Sequence, residues 1–190
     1  MKKSDVVVIL ILGEIVAVFF IVILKNLGYF FNNLLWLLLV AVPILALVAV
    51  FITYIIGKKI PAIFQLGKFV SVGLANTAVD FGVLNILMFL TGITSGVFYS
   101  VFKGASFIVS CTHSFIWNKF WTFRKKETEK IGGEFLQFIM VSLIGAAINI
   151  TVASLIVNLI GPQWGISSML WANIGAACGS VVGLAWNFLG

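Results

Sequence analysis

Acidic residues are scarce in this chain: six Asp and Glu stand among 190 residues against twelve Lys and Arg, and there is one histidine. No Gly-rich phosphate loop, no metal-ligating cluster and no G-x-S-x-G elbow can be found. Hydrolase, ATPase and metalloenzyme chemistries therefore find no support, no cofactor is implied, and the chain reads as a non-enzyme. Cysteine is equally thin. Cys111 and Cys178 sit inside apolar runs without metal-ligand spacing, which argues against a disulfide framework or a zinc site and makes them small residues of a helical interior. No soluble domain is left to bind a nucleotide sugar.

What is present is apolar. The chain is 62% hydrophobic and 9% charged, with a mean hydropathy of +1.18, far from the averages of soluble domains and characteristic of an integral membrane protein. Eighteen Phe and six Trp suit lipid-facing and interfacial surfaces better than a cofactor box. The net charge of +6 is concentrated in short loops, so a membrane surface explains it and nucleic acid is not required.

Taken in order, residues 6–24 are too long an apolar run for a signal peptide and lack a small-residue cleavage site, so they read as a first span. Residues 34–56 form a second, kinked by Pro43. Residues 60–68, IPAIFQLGK, read as an interfacial segment, with a third helix beginning near Phe69. Helices at about 69–91 and 97–118 follow, joined by an uncharged turn, and then helices at about 135–160 and 166–189. The expected fold is all-α: a polytopic membrane protein with six transmembrane helices. Lys2, Lys3, Lys58, Lys59, Lys68, Lys119, Arg124, Lys125, Lys126 and Lys130 fall on one side and Lys25 on the other. The positive-inside rule then places both termini in the cytoplasm and the protein in the cytoplasmic membrane.

The last four helices form a tandem repeat of two-helix hairpins, with units of about 64–126 and 133–190. A shift of 69 residues brings Phe69 onto Phe138, Asp80 onto Asn149 and Gly92 onto Gly161. Units of two spans share one topology, the parallel kind of repeat. In the second helices two registers stand open: Ser114 meets Gly183 and Trp117-Asn118 meets Trp186-Asn187, or, four residues on, Ser114-Phe115 meets Asn187-Phe188.

Ionisable groups inside a bilayer are functional candidates by default, which selects Glu14, Asp80 and Lys103, with His113 behind them. Gly73, Asn76 and Asp80 share one helical stripe, and Lys103, Ser106, Ser110 and Ser114 share another. Three readings of Asp80 and Lys103 stand: a buried ion pair, a snorkelling Lys103 beside a protonated Asp80, or a polarised groove for a charged head group. Glu14 reads as structural or as a partner contact, or as the carrier of a small proton-coupled exporter. Gly175, Gly179 and Gly183 are spaced for close helix packing. Asn149 and Asn173 serve either as interhelical glue or as contacts to a hydroxyl-rich ligand. The loop RKKETEK is a solvated positive-inside loop that also suits phosphate or anionic lipid.

The stretches KFVSVGLANTAVDF, SFIVSCTHSFIWNKFWTF and FLQFIMVSLIGAAINI resemble the GtrA-like family of small membrane proteins over roughly residues 64–190. Two motifs carry the resemblance: G-x-x-N-T-x-x-D at Gly73, Asn76, Thr77 and Asp80, and an aromatic-basic helix end at Asn118, Lys119, Trp121, Thr122 and Phe123. The chain departs from the pattern in two helices over residues 1–60, ahead of a four-helix domain at 61–190. The family's pattern also usually runs past the position of Gly190 into a second basic aromatic tail.

The resemblance implies translocation of a polyprenyl-phosphate-linked sugar across the membrane for cell-surface polysaccharide biosynthesis or glycosylation. Its alternative is a non-catalytic partner that recruits or stabilises a glycosyltransferase. Substrate contacts are then expected at Asn76, Asp80, Lys103, Ser110, Asn118, Lys119, Arg124 and Asn149. The expected partners are the polyprenyl-phosphate sugar lipid, a glycosyltransferase, a second copy of the chain, or several of these.

Overall fold

The computed structural model of the chain describes residues 1–29, 32–124 and 130–189. All regular structure among them is helical: α1 (Lys3–Asn26), α2 (Leu38–Gly57), α3 (Pro61–Thr91), α4 (Gly96–Trp117), α5 (Ile131–Ser154) and α6 (Ser168–Leu189). A 3-10 turn at Asn32–Leu37 leads into α2, and π-helical turns at Asn118–Thr122 and Leu155–Ile160 end α4 and α5. Among the described residues four helices are long and apolar enough to cross a membrane: Lys3–Asn26, Leu35–Gly57, Pro61–Thr91 and Ser142–Ile160. The chain is thus a helical membrane protein with several spans. Such spans satisfy every backbone group within the helix, the condition a bilayer imposes.

Expectation and structure differ at the start of α3. No separate interfacial segment occupies 60–68; the helix runs unbroken from Pro61 for 31 residues. Proline at the first helical position loses no hydrogen bond and presets φ for the helix. Lys68, the residue that suggested an interface, is buried inside the protein instead, at 3% exposure.

The chain divides into two compact units: Met1–Gly82 with Ser110–Glu129, and Val83–Val109 with Lys130–Gly190. In the first, α1 packs on α2, and Ile9, Leu12, Val50, Val72, Ala75 and Trp121 form the buried core. Close approach is built from small residues: a Cβ on Gly13 would stand 2.6 Å from the Cα of Pro43, so the backbones of α1 and α2 touch where proline interrupts the α2 ladder. Elsewhere α2 is largely uncovered, with Val40, Leu45 and Ile52 more than half exposed, as lipid-facing residues are.

In the second unit α5 packs on α6 along the expected glycines. A Cβ on Gly179 would lie 2.3 Å from the backbone oxygen of Asn149, and one on Gly183 3.0 Å from that of Gly145. Asn85 and Asn173 exchange reciprocal amide hydrogen bonds at 2.7 and 3.2 Å, and the Tyr99 hydroxyl donates to the Ala172 carbonyl at 2.9 Å. The glue reading of Asn173 therefore holds. Neutral hydrogen bonds over small-residue contacts are the usual cement of membrane helices. Cys178 here is half-buried and Cys111, in the first unit, is buried; neither is in a disulfide.

Candidate functional site

In the first unit the start of α1, the first turns of α3 and the turn after α4 converge on one carboxylate, that of Asp5. Lys68 Nζ lies 2.5 Å from Asp5 Oδ1. The indole N–H of Trp121 donates to the same oxygen at 3.2 Å. Arg124 Nη2 reaches both oxygens, at 3.1 and 3.2 Å, and the backbone amide of Lys2 donates to Oδ2 at 3.0 Å. Asp5 and Lys68 are almost fully buried side chains, at 2% and 4%, whereas Arg124 is 45% exposed. Among the described residues two cations are ion-paired to this one carboxylate, Lys68 and Arg124, one positive charge more than Asp5 balances.

Local structure explains the convergence. Asp5 sits in the first turn of α1, where its carboxylate closes back on the Lys2 amide and complements the helix dipole. The π-helical turn Asn118–Thr122 is closed by Phe123 N–H donating to the Asn118 carbonyl at 2.8 Å. That wider turn sends Trp121 into the core, at 6% exposure, with only its N–H directed at Asp5. Arg124 then takes a left-handed backbone, φ 55°, which costs a residue with a Cβ roughly 1–2 kcal/mol. The contact of its Nη2 with both oxygens of Asp5 is the compensating one. Lys68 is further wedged between Phe64 and Trp121, its ammonium 4.6 and 5.1 Å from their ring centres.

Two spaces flank the cluster within this unit. One is a cavity of about 390 Å³ lined by Lys2, Ser4, Asp5, Trp117, Trp121 and Arg124, among others. The second is an apolar groove of about 730 Å³ between α1, α2 and α3, whose walls include Ile9, Leu12, Val16, Val42, Gly67 and Leu74.

The expected site residues are distributed over both units. In the first, Asp80 and Ser110 are buried and Asn76 half-buried, with Asn76 Oδ1 lacking a hydrogen-bond partner among the described residues. Asn118 is buried and donates to Ser114 Oγ at 3.2 Å, while its Oδ1 lacks a partner among the described residues. Lys119 is buried as well, its ammonium 6.0 Å from the Phe120 ring centre. In the second unit, Lys103 is fully buried, and Asn149 donates to Ser180 Oγ at 3.2 Å. Lys125 and Lys126 lie outside the described residues, as do the side chains of Trp186 and Asn187 that bear on the repeat register.

Asp5 was not among the expected residues, and Lys68 counted only as loop charge. The available signal was an acid placed among lysines at the end that the positive-inside rule makes basic. Glu14 is exposed on α1. His113 stacks edge-on to Trp117 at 6.2 Å, with both ring nitrogens buried and without partners among the described residues.

The profile of the family described as GtrA/DPMS, transmembrane domain, matches residues 68–190. The uncharacterized membrane protein YngA of Bacillus subtilis (strain 168) is 30% identical over 125 residues, which cover 66% of this chain and 74% of the relative. No solved structure matches. Lys68, Trp121 and Arg124 fall inside the matched segment, and Asp5 falls outside it.

Proposed function

The chain belongs to the GtrA/DPMS transmembrane-domain family, and from that premise we propose that it translocates a polyprenyl-phosphate-linked sugar across the cytoplasmic membrane. In this reading six helices span the bilayer with both termini in the cytoplasm. Residues 61–190 are the transport domain, a tandem repeat of two hairpins, and residues 1–60 add two helices. Lengths support the count: α4 and α6 have 22 residues each, which at about 1.5 Å per residue match a hydrocarbon core of about 30 Å.

The observation that carries the proposal is the set of buried polar and charged side chains on apolar helices: Asp80 and Ser110 in the first unit, Lys103 and Ser106 in the second. A bilayer makes such residues expensive, and they mark pathways more often than packing. Asn76, Asp80, Lys103 and Ser110 would carry phosphate and sugar, Asn118, Lys119 and Arg124 would receive the phosphate from the inner leaflet, and Asn149 would contribute from the second hairpin. The prenyl chain stays in lipid.

Translocation of a labelled polyprenyl-phosphate sugar in vesicles tests this. Asp80→Asn and Lys103→Ala should stop transport at normal expression. Unchanged rates would sink the assignment of these residues.

A second reading, a membrane partner that recruits or stabilises a glycosyltransferase, is favoured by Glu14, a carboxylate exposed on an otherwise apolar span. Such a group calls for a partner helix. Purified protein would then translocate nothing alone, and the enzyme would co-purify with the chain but not with a Glu14→Leu variant.

A further inference from the structure

We infer that Lys68, Arg124 and Trp121 form a binding site for a phosphate group, occupied in this structure by the chain's own Asp5, which a phosphate must displace. The donor set fits that chemistry. One guanidinium nitrogen shared by both oxygens, an ammonium and an indole N–H converge within 3.2 Å of one two-oxygen anion. Guanidinium and ammonium donors make charge-assisted hydrogen bonds to carboxylate and phosphate oxygens alike, so Asp5 stands where a phosphate's oxygens would stand. The positive charge that Lys68 and Arg124 have in excess of Asp5 among the described residues favours a ligand with more negative charge than a carboxylate carries.

Access and provenance point the same way. Arg124 is half exposed, and the 390 Å³ cavity reaches both it and Asp5, so a phosphate can meet the guanidinium before Asp5 leaves. The three donor side chains belong to the family-matched segment, while the carboxylate comes from the helix that precedes it. Asp5 is therefore an internal competitor that α1 supplies to a cationic site of the transport domain.

The neighbouring groove selects a lipid phosphate over a free one. Ile9 lies one turn beyond Asp5 on the same face of α1, and Gly67 adjoins Lys68; both line the 730 Å³ apolar groove. A prenyl phosphate would place its head at Lys68 and Arg124 and its chain along α1 and α3. This lipid assignment rests on the function proposed above, whereas competition with Asp5 does not.

Binding to the full chain in phosphatidylcholine nanodiscs provides the test, with farnesyl monophosphate as ligand, farnesol as uncharged control and inorganic phosphate as the free anion. Removing an intramolecular competitor through Asp5→Asn should tighten farnesyl phosphate binding about tenfold, in the range of ordinary coupling between sites. Arg124→Gln, which leaves the Asp5–Lys68 pair in place, should weaken it about tenfold by removing a charge-assisted donor. Farnesol should respond to neither. A folded Asp5→Asn variant that binds no tighter overturns the inference, and so does an Arg124→Gln variant that binds as the parent does. Should Asp5→Asn fail to fold, Arg124→Gln decides by itself. The same ordering for inorganic phosphate supports the phosphate site while removing its lipid selectivity. Translocation with no effect of Asp5→Asn on binding would overturn this inference and leave the transport reading intact; tighter binding without translocation would do the reverse.

Discussion

In the first unit the ends of α1, α3 and the turn after α4 meet on one carboxylate held by Lys68, Trp121 and Arg124. In the second, α5 and α6 meet on glycines, and Asn85 meets Asn173 through paired amides. Lipid gives apolar helices no hydrophobic reason to associate, so each unit needs its own cement. Glycine against backbone is a permanent fit with one arrangement. A carboxylate among cations can exchange one anion for another. The difference teaches where movement is to be sought, at the charged end of the first unit rather than along the glycine seam of the second.

The largest break in this comparison comes from Asp5→Ala. Lys68 would be left almost fully buried beside Arg124 with its counter-charge gone. Removing one partner of a buried pair costs about 3–5 kcal/mol. Thermal unfolding in detergent should show that loss, and phosphate added to the sample should restore part of it. A variant as stable as the parent would mean that packing, and not charge, joins these helices.

Gly179→Ala tests the other side. Its Cβ would press to 2.3 Å on a backbone oxygen of α5, a contact no side-chain rotation relieves. Overpacking of this kind costs roughly 1–3 kcal/mol. Unlike the Asp5 variants, this one should gain nothing from added phosphate, since the glycine seam has no exchangeable anion.

The same contrast decides what could be read from the residues alone. Gly175, Gly179 and Gly183 repeat every four residues on one helix, a local pattern that announces a close approach, and the structure has it. Hydropathy likewise announced the helices, because a span must be predominantly apolar over about 20 residues. Asp5 announced nothing. Its side-chain partners lie 63, 116 and 119 residues away, and an acid beside Lys2 and Lys3 looks like a solvated terminus. Lys68 misled for the same reason: a lysine near a proline reads as interface until its carboxylate is found. The π-helical turn at Asn118–Thr122 also left no mark, since nothing in NKFWT distinguishes a wider turn from an α-helical end.

A finer sharpening lies in the paired amides. A double-mutant cycle between Asn85→Leu and Asn173→Leu should give a coupling of about 0.6–1.7 kcal/mol, the scale measured for hydrogen bonds between membrane helices. A coupling near zero would leave the glycines as the main cement of the second unit.

The smallest expected effect on stability is the most informative one. Arg124 contributes two hydrogen bonds to Asp5, yet its side chain is 45% exposed, so water and salt screen the pair. Exposed ion pairs are worth about 0–1 kcal/mol, and Arg124→Gln also leaves the strained left-handed backbone in place. Thermal stability should hence fall by no more than about 1 kcal/mol, and less in high salt, because screening already weakens the parent's pair. A larger, salt-independent loss would make Arg124 a structural clasp. A small loss combined with weaker prenyl phosphate binding would separate the two duties of the cluster, with Lys68 and Trp121 holding α1 in place and Arg124 facing the ligand.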